Sequence, residues 1–133
     1  MTSPSFPVSI KGVVLFGGRI LLLENERDEW ELPGGRLELG EDPPECLARE
    51  IDEELGIAVE VGPILDSWCY EPLPGRIVVI VTYGCQADSA VQPRLSHEHR
   101  ALGLFTVPEL DGLRLPAGYR RSIDHWLKLS RSG

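Results

Sequence analysis

No apolar run in the 133-residue chain approaches the roughly 20 residues that a bilayer-spanning helix needs, so no membrane anchor is read. Met1-Thr2-Ser3-Pro4 carries no charged stretch followed by an apolar one, so a secretory signal is not expected and the cytoplasm is the expected compartment. Cysteine is scarce. Cys46, Cys69 and Cys85 are odd in number, widely spaced and without a Cys-x-x-Cys pair, which predicts reduced structural thiols and no disulfide framework. Positive charge is also in deficit, at a formal net charge of −8. A protein that coats nucleic acid normally shows a basic face, so no duplex partner is expected. Lysine is nearly missing, since 11 of the 13 basic residues are arginine. Repeats, low-complexity stretches and long linkers are absent as well, which predicts one domain over residues 1–133, with 1–7 as a loose arm.

What is present reads as an ordinary core-forming composition, 42% hydrophobic and 26% charged. Two β-rich runs, 8–16 and 19–24, flank Gly17-Gly18, a strong hairpin signal. A charged loop, 25–29, and a short extended piece, 30–32, lead to Pro33-Gly34-Gly35. Asp42 is placed as the N-cap of a helix, with Pro43 first inside it, Glu45 closing a capping box and Gly56 as the left-handed stop. Strands are expected over 57–61 and 64–70, with Gly62-Pro63 as a bend and a turn at 72–75. The run 77–83 is apolar on both faces and predicts a central strand covered on both sides. A polar loop over 86–99, a last strand over 102–107 and a closing helix over 119–129, with Tyr119, Ile123, Trp126 and Leu127 on one face, complete the reading. The expected class is α/β (α+β), with a central mixed β-sheet between helical layers.

Charge is concentrated. Residues 35–57 hold eight acids against Arg36 and Arg49, which is −6 of the net −8. At about 100° per residue, Leu47, Ala48, Ile51 and Leu55 share the face that packs on the sheet. Glu50, Glu53 and Glu54, related as i, i+3 and i+4, share the adjoining edge, whereas Glu45 and Asp52 point to solvent. Like charges at this spacing repel, and a hard divalent cation removes the repulsion because Mg²⁺ takes carboxylates, water and phosphate oxygens. A solvated acidic face is the alternative that the helix alone leaves open.

The surrounding residues narrow the choice. Gly35, Glu41, Arg49-Glu50-Ile51, Glu53-Glu54 and Gly56-Ile57 stand at nine specified positions across 23 residues. This resembles the Nudix box at every specified position, and the preceding Trp30-Glu31-Leu32-Pro33-Gly34-Gly35 is also similar to the family. The resemblance implies a Nudix-type α/β/α sandwich and a Mg²⁺-dependent hydrolase, with Mn²⁺ as a substitute. It implies Glu50 and Glu54 as metal ligands, Glu53 as a third ligand or water-orienting base, and a contribution from the carbonyl of Gly35, whose missing side chain permits a close turn. Arg49 orients a glutamate, and Glu41 acts behind the ligands or in a loop salt bridge.

By the same resemblance, water attacks phosphorus in a nucleoside diphosphate linked to another group. The general base varies in the family, and Glu98, within Ser96-His97-Glu98-His99-Arg100, is the candidate outside the box, as that base or as an extra metal ligand. His97 and His99 are read as solvated loop histidines or glutamate-orienting partners; without nearby cysteines they do not make a zinc site. Arg27, Arg76 and Arg94 fall in expected loops and suit phosphate, and Trp30, Trp68 and Tyr70 are candidates to stack a base or ribose or to pack in the core. Arg27, Arg76 and Tyr70 are the expected substrate contacts. Pro72, 15 residues beyond Ile57, matches a proline of relatives that cleave ADP-ribose. ADP-ribose or a sugar nucleotide is the expected small-molecule substrate, with MutT-like cleavage of (deoxy)nucleoside triphosphates as the alternative. A nucleotide-sensing module without catalysis is a third reading, opposed by the intact box carboxylates. The family resemblance also allows a homodimer.

Overall fold

Strand β1 (Val8–Phe16) sends Ile10 and Val14 to one side of a sheet and Val13 to the other, and all three are fully buried. A strand buried on both faces requires cover from two layers. The computed structural model, which describes residues 5–132, supplies them. Gly17 and Gly18, at φ 58° and 79°, make the turn into β2 (Arg19–Glu24). Leu21 and Leu23 of β2 join the core on the Ile10 side, and Ile20 and Leu22 join the core on the Val13 side.

On the other flank, β6 (Arg76–Ala87) runs parallel to β1, from Val8 opposite Val79 to Leu15 opposite Gln86. β5 (Val59–Leu73) pairs antiparallel with β6 and forms an edge, while β7 (Ala101–Phe105) pairs antiparallel with β2. Two short strands complete the mixed sheet: β3 (Trp30–Glu31) on β2 and β4 (Gly34–Arg36) on β1. Helix α1 (Pro43–Leu55) covers one face with Cys46, Leu47, Ile51 and Leu55. Helix α3 (Ala117–Ser132) covers the other with Tyr119 and Ile123, supported by Trp126 and Leu127. The short α2 (Val107–Leu110) buries Leu110 in that second core. The architecture is the expected α/β/α sandwich, and β6 is the central strand that its two-faced apolar pattern predicted.

A polar cluster also binds α3 to the sheet. The hydroxyls of Thr82 and Ser122, both fully buried, lie 2.7 Å apart, and Ser122 donates to Asp66 Oδ2 at 2.8 Å. Buried hydroxyls need partners of this kind, since leaving one unpaired costs about 1–3 kcal/mol.

Five expectations change. Asp42 has the extended N-cap backbone, but its side chain makes no capping bond, so the expected capping box with Glu45 is not formed. Gly62-Pro63 does not divide two strands. A register shift between Val61 and Ile64 absorbs it as a bulge within β5, and an edge strand tolerates a proline that cannot donate. β6 continues to Ala87, which shortens the expected loop over 86–99. The last strand ends at Phe105 because Thr106 starts α2, its N–H and Oγ1 both donating to Glu109 Oε1 at 2.8 Å. Ala48 is only half-buried, and Cys46 takes its place on the packing face of α1. Of the expected loose arm, residues 1–4 lie outside the described residues, while Pro7 is anchored by its carbonyl, which accepts from Val79 N at 2.9 Å. No helix among the described residues is long and apolar enough to cross a membrane.

The three cysteines are free, with Cys46 and Cys85 buried and Cys69 exposed. Burial pushes the Cys46 thiol up to about 11 and the Cys85 thiol up to about 12, which suppresses the reactive thiolate. Titration with a chromogenic disulfide reagent at neutral pH should therefore show one fast thiol in the native protein and three after denaturation. Loss of the fast phase in Cys69→Ser identifies it.

Candidate active site

Gly56, at φ 66°, terminates α1 in the left-handed conformation and donates its N–H to Asp52 O at 2.8 Å. Next to this helix end, Arg94 N donates to the Leu55 carbonyl at 2.7 Å and so draws the loop after β6 onto α1. The far end of that loop is fixed by Arg100 N on the Glu24 carbonyl at 2.9 Å. Pinned at both ends, Ser96, His97 and Glu98 stand over the acidic edge of α1. With Glu50, Glu53 and Glu54 they line a cavity of about 230 Å³. The structure thus brings Glu98 together with the three box glutamates from which it is more than 40 residues distant in sequence.

The three box carboxylates are not equivalent. Side-chain exposure is 5% for Glu54, 18% for Glu50 and 58% for Glu53. Glu54 Oε1 accepts the Gly34 N–H at 3.0 Å, and its other oxygen faces His99 Nδ1 at 3.4 Å. His99 also contacts Glu31 Oε1 through Nε2 at 2.8 Å, so it is a glutamate-bridging residue and not a solvated one. Burial opposes ionisation of Glu31, yet His99 and the charge of Lys11 hold its carboxyl down at about 2. Glu54 is pushed the other way, up, by burial and by the neighbouring Glu50. Burial also raises Glu50, reinforced by the negative charges of Glu53 and Glu98 and opposed by Arg49. Raised carboxyls in a shared cavity mark a place where positive charge would be stabilising.

Arg49 supplies part of that charge. Its guanidinium binds Glu41 at 2.7 and 3.0 Å, and it lies 3.1 Å from Glu50 and 3.2 Å from Glu53. The Glu41 bond drops that carboxyl to about 2. Arg49 therefore holds glutamates, as expected, and Glu41 sits in a salt bridge. Gly35 acts differently from the expectation. The strained turn belongs to Gly34, at φ 144°, where a Cβ would lie 2.0 Å from the Ile10 carbonyl oxygen. Gly35 is needed for space, because a Cβ there would meet the Glu50 carboxyl carbon at 2.3 Å.

A family model for the NUDIX domain matches residues 7–127. The chain belongs to the Nudix family. It is 38% identical over 109 residues to a MutT-like protein of Streptomyces ambofaciens, a match that covers 80% of this chain and 68% of that protein. With the CTP pyrophosphohydrolase of Escherichia coli (strain K12) it shares 32% identity over 112 residues, covering 80% and 79%. The crystal structure of the MutT protein from Methanosarcina mazei Go1 superposes with a TM-score of 0.76 at 28% identity, over 99% of this chain and 98% of that one. The chain is a Nudix pyrophosphohydrolase, and enzymes of this family use a divalent metal ion.

The carboxylates of Glu50, Glu53, Glu54 and Glu98, with His97 the one nitrogen donor in the lining and no thiol there, fit a hard divalent cation. Among the described residues, no three metal-binding side chains are drawn together tightly enough to hold an ion as they stand, and Arg49 engages Glu50 and Glu53.

The expected substrate residues divide between two further cavities of this Nudix enzyme. Arg27 and Tyr70 meet through Glu29, whose Oε1 accepts from Arg27 Nε at 3.2 Å and from the Tyr70 hydroxyl at 3.0 Å. Both line an inner cavity of about 140 Å³ with Ser9, Lys11, Glu31 and Tyr119. Arg76 stands apart from Tyr70 and shares with Arg27 a wider groove of about 510 Å³. Trp30 packs edge-on against Phe105 at 4.9 Å and Trp68 against Tyr119 at 5.2 Å, so both tryptophans serve the core. Sequence reasoning missed Lys11, Glu31 and Arg36. For Lys11 a signal existed: it is the one charge inside the apolar run of β1.

The two glycines give opposite expectations. Gly34→Ala forces a backbone clash and a disallowed φ, and should cost about 3 kcal/mol in denaturant-monitored unfolding. Gly35→Ala should leave the unfolding midpoint nearly unchanged but displace Glu50, lowering kcat/KM at least tenfold.

Proposed function

We propose that this Nudix enzyme is a Mg²⁺-dependent hydrolase of the pyrophosphate bond in a nucleoside diphosphate linked to another group, ADP-ribose or a sugar nucleotide, with Mn²⁺ accepted in place of Mg²⁺. The observation that carries the proposal is the placement of four carboxylates around one cavity, with the Glu54–His99–Glu31 chain leading from it to the inner cavity. The acids suit a cation and phosphates, and the adjoining space suits the organic part of a nucleotide.

In this reading Glu50 and Glu54 are the principal metal ligands, with Glu53 as a third and the Gly35 carbonyl beside them. The bound ion would neutralise the phosphates and acidify the attacking water. Arg49 positions Glu50 and Glu53. Glu53 is already engaged by Arg49, whereas the Glu98 carboxylate makes no hydrogen bond or ion pair among the described residues. That leaves Glu98 the freer group to take the proton of the attacking water. Arg27 and Tyr70 hold the organic part of the substrate in the inner cavity. Hydrolysis of a nucleoside triphosphate to its monophosphate is the second reading, favoured by the match to CTP pyrophosphohydrolase over 79% of that protein.

The test is a substrate panel of ADP-ribose, sugar nucleotides and nucleoside triphosphates, read as phosphate release after phosphatase coupling. Turnover should require Mg²⁺ or Mn²⁺ and cease with chelator. Glu54→Gln and Glu98→Gln should each lower kcat at least about 100-fold, in the range typical of a lost general base or ligand. A chelator-insensitive rate, or full activity in both variants, would sink the mechanism. A faster rate on CTP than on every diphosphate-linked compound would select the second reading.

A further inference from the structure

The groove of about 510 Å³ beside the inner cavity has its own chemistry. It falls within the usual size of a small-molecule site, about 300–1,000 Å³. Three arginines from three separate elements line it. Arg27 comes from the loop after β2, whose shape is set by Asn25 Oδ1 accepting the Arg27 N–H at 2.8 Å. Arg36 is the last residue of β4, opposite Ser9, and Arg76 is the first residue of β6, opposite Leu73. Glu26 is the one acid in the lining. The walls between are apolar, and Phe6 and Leu73 remain 51% and 50% exposed there.

The three arginines of the groove differ in their ion pairing. Arg27, Arg49, Arg100 and Arg120 all have carboxylate partners. The guanidiniums of Arg36 and Arg76, like those of Arg19, Arg94, Arg114 and Arg131, have no hydrogen bond or ion pair among the described residues, although the chain carries 21 acids. In a protein of net charge −8, two guanidiniums left open on the same groove make a local positive site against the field of the whole. The guanidinium group suits the planar, multidentate recognition of phosphate.

The groove also adjoins the inner cavity, with which it shares Arg27, Pro72 and Val78. Glu31 at the inner end touches His99, and His99 touches Glu54. We propose that Arg36 and Arg76 form a second anion subsite, which holds a phosphomonoester carried by the substrate at a distance from the diphosphate that is cleaved. The preferred substrates are then nucleoside diphosphate derivatives whose organic part bears an extra phosphate. This deepens the proposed function and rests on it for the position of the cleaved bond.

Matched compounds test the subsite: ADP-ribose against ADP-ribose 2′-phosphate, and dephospho-coenzyme A against coenzyme A. The phosphorylated member of at least one pair should show a KM at least tenfold lower, with kcat little changed. Arg36→Ala and Arg76→Ala should each narrow that gap, and the double variant should close it, with the thermal unfolding midpoint confirming that the fold is kept. The same pairs are measured by equilibrium binding to the protein with chelator present, which needs no turnover. Preference in binding without hydrolysis of any compound would overturn the proposed function and sustain the subsite. Hydrolysis with no preference in either pair, or a preference that survives the double variant, would overturn the subsite. An Arg36- and Arg76-dependent preference for a 5′-triphosphorylated oligonucleotide over all these compounds would overturn the small-molecule assignment.

Discussion

The hydrogen bond from Gly34 N to the buried carboxylate of Glu54 joins the strand that precedes the acidic segment to the helix that ends it. A buried bond to a charged group is worth about 1.5–3 kcal/mol, and breaking one side leaves an uncompensated polar atom. Here it also decides position. Gly34 lies across from Lys11 on β1, so Glu54 is referenced to the most buried strand of the sheet. Glu50, one turn earlier on α1, is then placed against Gly35. His99 reaches the same carboxylate from the opposite loop. Strand, helix and loop meet on this one side chain, and the cavity between Glu50 and Glu98 follows from their meeting.

Charge is then organised around it in two regions of opposite sign. On the α1 edge, acids outnumber their partners, and Arg49 answers only part of the repulsion while holding Glu41, Glu50 and Glu53 in fixed relation. Across the β1–β4 border the balance reverses, with Lys11 in the inner cavity and Arg27, Arg36 and Arg76 in the groove. Gly35 and Arg36 are adjacent in β4, so consecutive residues of one short strand serve the two regions. That is the period of two of a β-strand put to functional use.

Much of the architecture was legible because it rests on short-range periodicity. The strands 8–16 and 19–24 and the helix from Pro43 to Leu55 appear at the expected residues, because alternation, Gly17-Gly18 and the Pro43 and Gly56 stops are local signals. The failures are equally local in origin. Gly62-Pro63 reads as a break, but pairing of β5 with β6 on both sides of it turns the break into a bulge. Asp42 and Glu45 have the residue types of a capping box, yet the side-chain bond is not made.

The sequence by itself determined the family, the acidic edge of α1 and the identity of its carboxylates, since three glutamates at i, i+3 and i+4 share an edge in any α-helix. Only the tertiary structure decided how those glutamates differ. Glu54 is buried and tied to Gly34 and His99, Glu50 is packed on Gly35, and Glu53 is exposed beside Arg49. Tertiary structure also chose among the arginines, because exposure and ion pairing depend on which distant acids fold alongside each one. Arg27, Arg36 and Arg76 are 9 and 40 residues apart in the chain, and no local period relates them. The parallel pairing of β1 with β6, and of both with their neighbours, is what brings them to one groove.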